Sequence, residues 1–150
     1  MSELKRDTFI YDGLGFPVRL INVPLKKVFN EWILDIDFNQ FHLAVLLMLV
    51  KKRSRLRGKE VRFIRHYLEL STHAFAKLFG VTHTAILKWE NEERKMGVGT
   101  EICIRLHVLD HLKVTDKEFR KIYLTFTPEV ITKKPSQNIP LDIEVDKIAC

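Results

Sequence analysis

VRFIRHYLELSTHAFAKLFGVTHTAILKWEN, residues Val61 to Asn91, reads as two short helices joined by a tight turn, with a third helix behind them. Ser71 is a helix N-cap, since its hydroxyl oxygen can accept from a backbone N–H that the first turn leaves unpaired. Phe75, Ala76, Leu78 and Phe79 follow as a mostly apolar face. Gly80 ends that helix, because glycine adopts the left-handed conformation at a helix end without steric cost. Thr82 then caps a new helix with Ala85, Ile86 and Trp89 on one face, while His83, Thr84, Leu87 and Lys88 point elsewhere. Two helices crossing steeply through a glycine turn form a helix-turn-helix, whose second member lies in the DNA major groove. Behind them, a supporting helix over Lys59–Glu69 turns Val61, Ile64 and Leu68 inward.

On the N-terminal side, Met1–Thr8 is polar and reads as frayed. From Phe9 the run FIYDGLGFPVRLINVPL sets Gly13, Gly15, Pro17 and Pro24 among apolar and β-branched residues, the pattern of short strands and turns. Val28–Ile36 is a third candidate strand, which together make a small β-meander. Asp37 can cap a helix from Phe38 to about Lys52 whose apolar residues cover nearly its whole circumference, so burial on all sides is expected. The meander and the helix-turn-helix either sandwich it, or it also supplies a dimer interface. KKRSRLR, Lys51–Arg57, follows as a basic link, to be read either as a solvated linker or as an arm whose Arg53 and Arg55 contact phosphate.

On the C-terminal side, Thr100 caps a helix carrying Ile102, Leu106, Leu109 and Leu112, and Thr115 caps another over Asp116–Phe126, ended by Pro128. The last 23 residues, 128–150, hold three prolines and no helical period, which predicts an extended or disordered tail. The expected organisation is therefore an N-terminal part, 1–57, a five-helix domain, 58–127, and a tail, 128–150. The expected fold class is mainly α, with the meander and one buried helix as an N-terminal appendage.

The net charge of +6 favours an anionic partner. Its distribution is sharper: Lys51–Lys88 holds ten Lys and Arg against two acids, Glu60 and Glu69, whereas Glu90–Glu101 holds four acids against two bases. Two cysteines make no disulfide framework and suggest a reducing compartment. No signal peptide is visible, and the longest apolar run, Leu43–Val50, is under half of the roughly 20 residues that span a bilayer. A cytoplasmic protein is expected. The sequence has no nucleophile elbow, no P-loop and no paired carboxylates in a glycine-rich context, which speaks against an enzyme. Cys103, His107 and His111 fall on one side of a helix, yet they lack an obvious fourth ligand, so neither metal nor cofactor is expected.

The segment Leu70–Asn91 resembles the Xre family, the Cro and phage-repressor type of DNA-binding domain. Ala76 sits where the family needs a small residue at the helix crossing, Gly80 occupies the turn, and Trp89-Glu90-Asn91 ends the recognition helix. The resemblance implies a five-helix, lambda-repressor-like domain in which Arg65 pairs with Glu90. It departs at Thr72, where the family usually has Gln. The order of parts is also similar to MqsA-type antitoxins, whose N-terminal zinc module holds a toxin. Here the zinc knuckles are lacking, and no cysteine falls near Lys27–Asn30.

Together these readings lead to a sequence-specific transcriptional regulator, a homodimer on an inverted-repeat operator in double-stranded DNA, extending to an antitoxin that represses its own promoter. The alternative is a protein-interaction module that binds a toxin or another partner and uses the Xre fold as scaffold. Lys88 and Thr84 would read base edges, with His83 beside them and Leu87 against a thymine methyl. Asn91 and the start of the first motif helix, Ser71 and Thr72, would contact phosphate. Thr82 opens the reading helix.

Overall fold

The computed structural model describes residues 3–113, 117 and 141–144. Its element order is β1 (Leu4–Tyr11), β2 (Val18–Val28), β3 (Glu31–Leu34), α1 (Phe38–Lys51), α2 (Gly58–Tyr67), α3 (Thr72–Phe79), α4 (His83–Glu90), α5 (Val98–His111) and β4 (Leu141–Glu144). The chain divides into two compact units, Met1–Met48 with Asn138–Cys150, and Leu49–Gln137. The expected mainly-α class is corrected: a four-stranded sheet makes the protein mixed α/β.

The sheet is built on β2. Strand β1 runs antiparallel to it from Leu4↔Lys26 to Tyr11↔Val18, so Leu4–Thr8 is strand and not the frayed end expected. Between the pairs Asp7↔Val23 and Phe9↔Leu20 the single residue Thr8 faces both Ile21 and Asn22. This is a β-bulge, with Asn22 at φ 55°. It moves the buried side of β2 from Val18 and Leu20 to Val23 and Leu25, out of strict alternation. The strand expected over Val28–Ile36 is interrupted at Phe29 and Asn30, a two-residue turn joining β2 to β3 with Val28↔Glu31 as its closing pair. Both turn residues have positive φ, 49° and 65°, as the tightest hairpin turns require to match strand twist. Strand β4 lies parallel to β2 along Val18–Ile21, so four residues of the expected tail are strand. Arg19 clasps Asp142 there with bonds of 2.9 and 2.8 Å.

Asp37 caps α1 as expected, its carboxylate accepting from the N–H of Asn39 at 2.9 Å. In the first unit, Phe41, Val45 and Leu46 of α1 are buried, as are Phe16, Val18, Leu20, Leu25, Leu34 and Ile143. Tyr11 meets the Phe41 ring edge-on at 5.5 Å. Burial of α1 on all sides does not hold: Phe38 and Met48 are exposed. The apolar circumference of this helix exceeds what the sheet can cover, because a helix resting on one layer buries a stripe.

In the second unit, Val61 and Ile64 of α2, Phe75 and Ala76 of α3, Ala85, Ile86 and Trp89 of α4, and Ile104, Val108 and Leu109 of α5 form the core. Helix α5 starts at Gly97, one turn ahead of the Thr100 cap expected. Gly58 opens α2 against the end of α4: a Cβ there would lie 2.4 Å from the Glu90 carbonyl oxygen and 2.6 Å from that of Trp89. The helix expected over Asp116–Phe126, its Thr115 cap and most of the expected tail lie outside the described residues.

Candidate nucleic-acid interface

Helices α3 and α4 are positioned by their caps. Ser71 Oγ accepts from Ala74 N–H and Thr82 Oγ1 from Ala85 N–H, each at 3.1 Å. Gly80 is left-handed at φ 66°, and Val81 N–H reaches back to Ala76 O at 3.0 Å, closing the end of α3 so that α4 restarts three residues later. Ala76 is buried.

The orientation of α4 is held from behind by Arg65. Its guanidinium makes a bidentate pair with Glu90, Nη2 to Oε1 at 2.9 Å and Nε to Oε2 at 3.1 Å, and also donates to Leu70 O at 3.0 Å. Both side chains are buried, so α2, the start of α3 and the end of α4 are tied at one point. With Ala85, Ile86 and Trp89 turned inward, Thr84, Leu87, Lys88 and Asn91 are left exposed on the other side. Leu87 is 41% exposed. On α3, Ser71, His73, Lys77 and Leu78 are exposed and Thr72 is half-buried.

His83, expected beside the base readers, is half-buried. Its ring stacks on His73, with centroids 4.1 Å apart and planes 22° from parallel, and its Nδ1 is buried with no hydrogen-bond partner. The stack fixes the plane of the ring. His73 carried no sequence signal beyond its place on α3.

The basic link also departs from expectation. Arg55 does not extend to solvent: its Nε donates to Glu101 Oε1 at 3.2 Å and its Nη2 to Met96 O. Glu101 further accepts the Leu56 N–H at 2.8 Å. One turn on, the fully buried Arg105 donates to Val50 O at 3.1 Å, to Ser54 O at 2.7 Å and to Lys52 O. Together they clamp residues 50–56 onto α5. Burial pulls the Arg105 guanidinium below its ordinary range, against the opposing pull of Glu101. Lys52 pairs with Glu60 at 2.7 Å, and Arg57 with Glu92 at 3.5 Å. The Gly58 N–H, aided by Arg57, holds the Glu92 carboxyl below its usual value. Glu60, Glu101 and Glu92 thus take up Lys52, Arg55 and Arg57 of the link. Of the ten cations in Lys51–Lys88, Arg53, Lys59, Lys77 and Lys88 are exposed and in no salt bridge with a described residue.

Cys103 is exposed and unpaired, His107 meets Phe79 edge-on at 5.7 Å, and His111 is exposed. Among the described residues no three His, Cys, Asp or Glu are grouped to hold a metal ion. Among them, too, no helix is long and apolar enough to cross a membrane. No protein-family model, curated protein or solved structure matches the chain.

Proposed function

We propose that this protein is a sequence-specific regulator that binds double-stranded DNA through α4, as a helix-turn-helix of the Xre type. The observation that carries the reading is the two-sided character of α4. Its inner side is fixed by Trp89 and the buried Arg65–Glu90 pair, while Thr84, Leu87, Lys88 and Asn91 stand exposed along the other. Ser71 and Thr82 use their oxygens as cap acceptors and keep their O–H donors for phosphate. One short helix reads too few base pairs for specificity, so the active form is a homodimer on an inverted repeat, with reading helices roughly 34 Å apart. A cytoplasmic antitoxin that represses its own promoter is the narrower form of this proposal, with the sheet-bearing unit as the toxin-binding part.

Selection of duplexes from a random pool by the purified protein, followed by titration of selected and random DNA across a salt series, tests it. If Arg53, Lys59, Lys77 and Lys88 each neutralise a phosphate, eight in a dimer, they contribute about −7 to the slope of log K against log salt. An enriched inverted repeat and a steep slope are expected; no enrichment and a flat slope would reject the reading. The second reading, a protein-interaction module on the same scaffold, is favoured by one observation: Lys52, Arg55 and Arg57 are taken up by acids of the chain itself. It predicts the flat outcome.

A further inference from the structure

The β2–β3 turn places a phenylalanine where the fold has no use for one. Among described residues, six other than glycine have positive φ: Asn22, Phe29, Asn30, Glu69, Glu92 and Lys113. Five are polar or charged and one is apolar. Asparagine and glycine are the ordinary occupants of such turns, and a bulky side chain at φ 49° is strained. Burial could compensate that strain, but Phe29 is 97% exposed and the ring contributes no core contact. Strain and exposure coincide on one side chain that a β-hairpin holds out at its tip, with the register below it fixed by the pairs Val28↔Glu31 and Lys27↔Trp32.

The charges around the tip identify what it meets. Lys27 pairs with Glu3 at 3.3 Å, Lys26 lies 3.9 Å from Asp35, and Lys5 lies 3.9 Å from Asp7 and 4.3 Å from the centre of the Trp32 ring. From Glu3 to Asp35 the chain carries five cations and five acids. A surface for nucleic acid or anionic lipid carries an excess of cations, because both partners are polyanions. This surface is balanced, with an aromatic projecting from a polar, paired rim, which is the composition of a protein-binding anchor. We infer that Phe29 is the anchor of a protein-docking site, seated in a ring-sized apolar pocket of a different protein. This inference does not depend on the DNA-binding reading.

A photoreactive phenylalanine analogue at position 29 of the full chain, expressed in its native cells, tests it, with the same analogue at the exposed Ile10 as control. A single protein joined through position 29 and not through position 10 is expected. That protein, identified and purified, should then bind the wild-type chain and bind Phe29→Asn at least tenfold more weakly, while Phe29→Tyr stays within about threefold. Phe29→Asn should melt at or above the wild-type temperature, since asparagine relieves the turn. The inference is overturned by any of four results: no adduct at position 29, an adduct shared with position 10, unchanged affinity of Phe29→Asn, or a lowered melting temperature for that variant. A second copy of this chain as the adduct, or anionic vesicles or duplex DNA bound only when Phe29 is present, would overturn it equally.

Discussion

Arg65 shows how one side chain sets the geometry of three helices. Its Nε–H and two Nη groups meet Glu90 and the Leu70 carbonyl, and neither partner of the ion pair is open to water. Removing the guanidinium leaves Glu90 as a buried carboxylate with only Arg62, 3.8 Å away and mostly exposed, to answer it. Arg65→Ala should therefore cost about 3 kcal/mol, the scale of an orphaned buried charge, and a urea or thermal melt should show it. A melt superimposable on wild type would mean that the pair contributes nothing. His42 gives the complementary case of a charge kept away. Lying among Phe38 and Phe41, its imidazole is held below its ordinary value by burial, which disfavours the cation. The unfolded chain takes up this proton near pH 6.5 and the folded chain only lower, so the contribution is whole above about pH 6.5 and declines as the pH falls past it. Unfolding midpoints between pH 7.5 and 5.5 should fall less for His42→Leu than for wild type, and parallel curves would argue that His42 is not the group responsible.

At the scale of elements, the proposed reading divides the labour of binding DNA between α4 and the link. Lys88→Ala should relax discrimination at one or two base pairs, by about 1–3 kcal/mol if it makes a good base contact. Arg53→Ala should weaken selected and random duplexes alike and lower the salt slope by about 0.9. Arg55→Ala belongs to neither class: with its guanidinium on Glu101 and Met96, its loss should lower the melting temperature and leave the slope as it is. Equal weakening of both duplexes by Lys88→Ala would put the reading surface elsewhere. The α3–α4 pair was legible in the sequence because its determinants are local: two hydroxyl caps, a glycine stop and apolar residues at helical spacing within some twenty positions. The clamp of Glu101 and Arg105 has a fainter signal in the sequence. Glu101, Arg105 and Val108 share one stripe of α5 with Ile104, and two charges at i and i+4 on a core stripe need buried partners, which here are the link's backbone carbonyls and Leu56 N–H.

At the scale of the whole molecule, the sheet resisted the sequence most. Meander strands were legible from alternation and turn residues, but the bulge at Asn22 and the turn at Phe29–Asn30 cut across the alternation that a reader follows. Strand β4 leaves only a short trace, the alternation of Leu141, Ile143 and Val145 with Asp142, Glu144 and Asp146, which the prolines just before it obscure. Removing residues 139–150 should open the β2 flank over Val18–Ile21 and release Arg19 from Asp142. Hydrogen exchange should then quicken across β2 while α2 to α4 keep their protection. Unchanged exchange in β2 would show that β4 adds nothing to the sheet.

The same parallel pairing gives the protein a history during its synthesis. Arg19 and Asp142 stand 123 positions apart, so at roughly 5–20 residues per second the ribosome adds the second some 6–25 seconds after the first. Over that interval the helical unit can emerge and close, because all of its residues, Leu49–Gln137, are made before Asp142. The sheet waits with one flank of β2 unpaired, a template for any neighbouring nascent chain on the same polysome. The bulge, by twisting β2 at Asn22, shortens the flat stretch on offer, and the arrival of Leu141–Glu144 ends the exposure.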